Sequence, residues 1–287
     1  MDPIFLAEAA VNGILLGGVL ALLALGLNLI FGVLDIVWIA YVDLVMLSMY
    51  LVYFVVMVYG WPIWLGGLAG VALGAVLGVL VHILVIRPIL DSPPINQLLA
   101  TGGLLFFIQS FATFLWTTDH RSVRLTLPVI ELAGMFISFA RLIAFGLAIV
   151  VMIALYLFLT RTYIGTAIRA VSQDRGAMAL MGANPQRIYI VTSAVGGAMA
   201  GVAAALLSIQ YSVHPYFGAA FGPITFMICV LGGLGNMVGA FVAAFVMSEI
   251  ISIGGVIWST EMGYVIAFAL FIVMMFARPG GLFARRQ

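Results

Sequence analysis

RTYIGTAIRAVSQDRGAMALMGANPQR, residues 161–187, is the stretch on which the reading of this chain turns. It holds Arg161, Arg169, Arg175 and Arg187, four of the eleven basic residues, together with Asp174. Residues 142–160 before it and 188–248 after it carry no charge. A short polar, helix-capable segment between long apolar blocks reads as a loop between membrane spans. Its Arg cluster predicts that it faces the cytoplasm.

The rest of the 287 residues agree with that reading. Hydrophobic residues make up 65% and charged residues 7%, against about 25% charged in a soluble domain. Mean hydropathy is +1.28. No soluble fold hides so much apolar surface, so the expected fold class is an all-α polytopic membrane protein, one transmembrane domain over residues 1–287. All eleven basic residues are Arg, and the net charge of +1 points to neither nucleic acid nor an acidic partner. The single cysteine, Cys229, can form no internal disulfide. Asp2 and Glu8, with no basic residue beside them, are the opposite of a secretory n-region.

Spans of about 20 apolar residues are expected at 9–34, from Asp35 to about 58, at 63–86, 95–117 and 142–160, then at 188–212, 236–255 and 262–277, with a short helix at 221–233. That makes eight or nine crossings with broken or half helices. The polar segment 118–141, with Asp119, His120, Arg121, Arg124, Glu131 and Arg141, is expected to be an external loop with an interfacial piece. Gly66, Gly70, Gly74 and Gly78 recur every four residues, on one helix face, as close helix packing requires. Nine crossings with the Arg loop inside put Arg87, Arg161, Arg169, Arg175, Arg187, Arg278, Arg285 and Arg286 in the cytoplasm and three Arg outside. The N-terminus is then outside and the C-terminus inside.

Nothing suggests catalysis. His82, His120 and His214 are not at metal-ligand spacing, and no HExxH, GxSxG or CxxC occurs. A chain without Lys has no GxxxxGK[ST] phosphate loop. Membrane-buried polar groups are the next candidates. Asp35 and Asp43, on one helix, would lie within roughly 80° of each other; Asp35 is weighed as an interfacial cap of the second span, Asp43 as a pathway residue. Glu249 sits in the 236–255 span. Asn28, Gln97, Thr101, Gln109 and Gln210 suit interhelical hydrogen bonds. Gly232-Gly233-Leu234-Gly235-Asn236 lets the backbone turn, either at membrane depth beside a pathway or as a tight turn between two spans. In the Arg loop, a helix from Ser172 to about Met181 is expected. Ser172 would be its N-cap, Gln173 and Asp174 its first turn, and Gly182 and Pro185 its stop. Ala177, Met178, Leu180 and Met181 give it an apolar side, suited to the membrane surface or to a groove in a soluble partner.

Three separated motifs carry a family resemblance: GLNLIFGV at 26–33, TAIRAVSQD at 166–174 with ALMGAN at 179–184, and LGGLGNMVGA at 231–240. Their order and spacing resemble the branched-chain amino acid (Liv-type) permeases of bacterial ABC importers. The resemblance implies an inner-membrane subunit paired with a second related permease, two ATPase subunits and a periplasmic substrate-binding protein, with no cofactor and no enzymatic activity in this chain. It implies that the cytoplasmic coupling loop 161–187 engages the ATPase through Arg169, Ser172, Gln173, Asp174, Arg175, Ala177, Leu180, Met181 and Gly182. It also implies a translocation pathway, for which Asn28, Trp38, Tyr41, Asp43, Thr101, Gly232 and Gly233 are the candidates. After residue 33 the family usually continues with an Asn-Phe-Ala-His-Gly-Glu block, where this chain has Trp38-Ile39-Ala40-Tyr41-Val42-Asp43. A more aromatic pathway would suit an amide, urea or aromatic acid. If the block packs against neighbouring helices, it is neutral to substrate. The competing function is a stand-alone channel or ion-coupled transporter, for which Asp43, Asp35 and Glu249 would be the coupling groups.

Overall fold

The computed structural model describes residues 3–123, 128–132, 135–182, 184–278 and 280–281. Arg124, Pro279, Arg285 and Arg286 lie outside the described residues, as does Ala183 of the Arg-rich loop. Among the described residues, eight helices are long and apolar enough to cross a membrane, and a ninth, Phe217–Gly232, is shorter.

The first helix, α1 (Pro3–Leu34), is apolar all round, the pattern of a helix buried on every side. Val19 to Ala24 are at most 1% exposed. It is the axis of the bundle: α6 (Phe139–Arg161), α9 (Pro185–Ser208), α10 (Phe217–Gly232) and α11 (Met237–Ile257) all pack on it. The second helix, α2 (Tyr41–Tyr53), continues as a π-helical turn, Phe54–Val58. It packs on both α9 and α3 (Ile63–Val81). After α3 a π turn, His82–Ile86, and the short α4 (Arg87–Ile89) lead to α5 (Pro94–Trp116). Both α5 and α12 (Thr260–Ala277) lie at the periphery.

The glycine stripe does what its spacing predicts. Gly66, Gly70, Gly74 and Gly78 are buried. Across from them on α9 lie Gly197 and Gly201, so close that a Cβ on Gly74 would meet Gly197 O and stand 2.9 Å from Gly201 N. Lipid tails give no hydrophobic drive for helix association, so this backbone contact is the means by which α3 holds α9.

Four expectations are corrected. Asp35 does not cap the second span and does not share a helix with Asp43. Its φ of 58° ends α1, its N–H donates to Phe31 O at 2.8 Å, and residues 35–40 are non-helical before α2 starts behind Ala40. An aspartate tolerates this left-handed backbone, so the chain leaves the helix there. The segment 118–141, expected as a loop with a short interfacial piece, contains a hairpin that was not foreseen: β1 (Val129–Leu132) and β2 (Met135–Ser138) pair antiparallel, with Ile130 opposite Ile137. Arg141 belongs to the first turn of α6 and donates to Asn12 Oδ1 of α1 at 2.7 Å. The short helix expected at 221–233 starts at Phe217 and accommodates Pro223 in its first two turns.

Candidate functional site

The Arg loop folds as two helices. Thr162 caps α7 (Tyr163–Gln173), its hydroxyl accepting from Gly165 N at 3.0 Å. Asp174, extended at φ −152° and ψ 106°, ends α7 and starts α8 (Arg175–Leu180), its Oδ1 accepting from Ala177 N at 2.9 Å. The expected single helix capped by Ser172 is therefore wrong in its start. Ser172 lies inside α7, its hydroxyl spent on Arg169 O at 2.8 Å. A carboxylate at an N-cap also gains from the helix dipole, so Asp174 outcompetes the serine. Gly182, at φ 83°, stops the chain after α8 as predicted. Gly165, Ile168 and Val171 face inward on α7. On α8 Leu180 and Met181 are 92% and 83% exposed, while Arg175 sits over the Tyr189 ring of α9 at 5.8 Å.

Beside these helices is a cavity of about 1070 Å³. Ser172, Gln173 and Arg175 line it on one side, Asp35 and Gly32 of the α1 end on another, and Gly233 to Val238 on a third. The structure thus brings together residues from two sets that the sequence kept apart, the coupling group and the glycine-rich break. That break is a tight turn between α10 and α11, with Gly233 at φ 96° and Gly235 at φ 81°. Asn236 caps α11 by accepting from Gly239 N at 3.1 Å. Asn28, wholly buried in α1, holds the turn. Its Nδ2 donates to Asn236 O at 2.9 Å and Gly233 O at 3.4 Å, and its Oδ1 accepts from Gly235 N at 2.6 Å. Of the two helices that this turn joins, α11 is long enough to span a membrane and α10 is shorter. Gly232 packs on the Gly239–Ala240 backbone of α11.

Asp43 marks a second polar centre. Its side chain is 1% exposed. It lies in the first turn of α2 and beside Gly218, in the first turn of α10. Two helix N-termini therefore converge on one carboxylate, where their dipoles favour negative charge. Gln109 of α5 donates to Asp43 Oδ1 at 3.1 Å. Replacing it, Gln109→Leu, strips the carboxylate of its side-chain donor in a dry surround. The expected cost is about 2 kcal/mol, read as a lower melting temperature of the detergent-solubilised chain; an unchanged melting temperature would show that the bond contributes nothing.

Trp38, Tyr41 and the remaining polar candidates sit in packed or hydrogen-bonded positions. Trp38 and Tyr41 are buried and meet edge to face at 6.1 Å between centroids. Tyr41 donates to Gly196 O at 2.9 Å. Thr101 donates to Val37 O at 3.1 Å, pinning the non-helical link 35–40 to α5. Gln97 donates to Leu90 O and Ser92 O, both at 3.1 Å, and so ties the α4–α5 turn; Gln210 bonds Leu206 O within its own segment. Glu249 lies against Gly13 of α1. The fold does bring His120 and His214 together, rings 4.5 Å apart. Burial, and then the His120 charge, hold His214 below the usual histidine range. Among the described residues no group of three or more His, Cys, Asp or Glu could hold a metal. Arg121 was not singled out by sequence, yet its guanidinium lies 5.6 Å over Phe54 and 5.8 Å over Tyr53.

Comparison with known proteins accords with this architecture. The family described as branched-chain amino acid transport system / permease component matches residues 9–275. The high-affinity branched-chain amino acid transport system permease protein BraD of Pseudomonas aeruginosa is 26% identical, over 98% of this chain and 96% of its own. LivH of Escherichia coli K12 is 26% identical over 99% and 97%, and LivH of Salmonella typhimurium 27% over 99% and 97%. No solved structure matches. With a match over nearly its whole length, and with eight helices among the described residues long and apolar enough to cross a membrane, the chain belongs to the permease-component family of branched-chain amino acid transport systems.

Proposed function

We propose that this chain is one of two related permease subunits of a binding-protein-dependent ABC importer of the bacterial inner membrane. It carries branched-chain amino acids, or a closely related small solute, while two ATPase subunits supply the energy and a periplasmic binding protein delivers the substrate. The relatives' names support the substrate class. Trp38 and Tyr41 are buried and pack edge to face, which supports the reading in which the 38–43 block packs against neighbouring helices and is neutral to substrate. The Arg distribution supports a cytoplasmic 161–187 loop, an external N-terminus and a cytoplasmic C-terminus.

The observation that carries the coupling role is the tip of α8. Leu180 and Met181 project uncovered from a capped helix at the polar face of the bundle, the form of an apolar anchor for a groove in a partner protein. Arg175 on the Tyr189 ring would transmit a push on α8 to α9. The test is uptake into vesicles reconstituted with the ATPase and second permease. Asp174→Arg removes the α8 cap and reverses its charge, and is expected to cut ATP-driven uptake about tenfold or more while the isolated chain stays folded. Asp174→Asn keeps a capping oxygen and is expected to stay near wild type. Uptake that persists with no ATPase present would instead support a stand-alone channel or ion-coupled transporter.

A further inference from the structure

An apolar groove of about 260 Å³ opens between α6 and α11, with Leu25 of α1 at its floor. Ile153 and Tyr156 form one wall, Val238 and Phe241 the other. Met237 lines it as well, and also lines a smaller recess of about 60 Å³. That recess is bounded by Leu159, one turn beyond Leu155 of the groove, and by Arg169 of α7. Met237 lines both spaces, so a path from the dry side chains of the groove to the Arg169 cation would run past it. Tyr156 lies five residues before the end of α6, about 7 Å along the helix axis, so the groove falls within the leaflet on the Arg-loop side. Among the described residues, Arg169 has no ion-pair partner.

We propose that this path is a binding site for an anionic phospholipid. One acyl chain lies in the α6–α11 groove and the phosphate meets Arg169, bracing α7 against α1 and α11. The rim chemistry favours a lipid over a transmembrane helix of another subunit. Helix pairs in membranes approach through small residues, as α3 and α9 do here, whereas this rim is built of Ile153, Tyr156, Val238 and Phe241. A flexible hydrocarbon chain fits between such side chains and a helix backbone does not. Arg169 supplies the charge that makes the headgroup preference anionic.

The experiment uses the purified full chain in detergent, titrated with phosphatidylglycerol or phosphatidylcholine and followed by native mass spectrometry. Phosphatidylglycerol is expected to bind more tightly. Arg169→Gln is expected to weaken phosphatidylglycerol about fivefold and to leave phosphatidylcholine unchanged. Val238→Trp, which fills the groove, is expected to weaken both. Arg187→Gln removes a charge from the same loop away from the groove and is expected to change neither. Equal loss in Arg169→Gln and Arg187→Gln would mean diffuse attraction to the surface and would overturn the site. So would equal binding of the two lipids to the unaltered chain, or a disulfide formed between Val238→Cys and a helix of the second permease. None of these readouts requires ATP or transport, so failure of the lipid site and failure of the importer reading are separable.

Discussion

Gly197→Val is expected to destabilise the bundle severely. A Cβ there would press on Gly74 O and stand 3.0 Å from Gly78 Cα. Both are backbone atoms, so no side-chain rotation relieves the clash, and α3 and α9 must separate. Overpacking costs about 1–3 kcal/mol where side chains can give way, and more where they cannot. For a chain of this size the melting temperature should fall by about 10 °C or more, measured by size-exclusion chromatography of heated, detergent-solubilised protein. Gly102→Ala is the matched control. Nothing lies within 4 Å of a Cβ on Gly102 in α5, so the change only improves helix propensity, by up to about 1 kcal/mol. Equal melting temperatures for Gly197→Val and the unaltered chain would mean that the α3–α9 backbone contact is not what joins these helices.

Asn28→Leu should release the α10–α11 turn. The substitution keeps side-chain size but leaves Gly235 N–H and the carbonyls of Gly233 and Asn236 without the Asn28 amide. Each backbone group stranded in a buried setting costs about 1–3 kcal/mol. Amide hydrogen exchange at residues 233–238 should speed up by more than about tenfold. Because this turn walls the cavity shared with Ser172, Gln173 and Arg175, ATP-driven uptake should fall with it. Asn28→Asp keeps an acceptor for Gly235 N–H and loses the donor, so its exchange rate should lie between the two. Unchanged exchange in Asn28→Leu would show that the turn holds itself and that the α1 contact is incidental.

Much of the architecture is legible because it depends on local composition. Runs without charge locate the spans to within a few residues, and Gly182 and Gly233–Asn236 mark stops that the backbone obeys. The four-residue glycine period predicts a close helix contact without naming the partner. Ser172 against Asp174 shows where local reasoning fails. Both residues can cap a helix, and the outcome depends on α7 continuing to Gln173, because its inward face of Gly165, Ile168 and Val171 has something to pack on. The hairpin of β1 and β2 was missed because its strands are four residues each, too short for alternation to stand out in a polar segment.

By itself the sequence determined that this chain spans a membrane many times, where the spans lie, which helix face is lined with glycine, and, through its motifs, the family. Each of these depends on residues near one another along the chain, where hydrophobicity, helix period and backbone freedom act. Only the tertiary structure decided that Asn28 grips a turn more than 200 residues away, that Asp43 sits between two helix N-termini under Gln109, and that the Arg-rich loop and the glycine turn wall one cavity. The physical reason is that a buried polar group must find its partner wherever packing brings one, and packing order is a property of the assembled bundle rather than of any one segment.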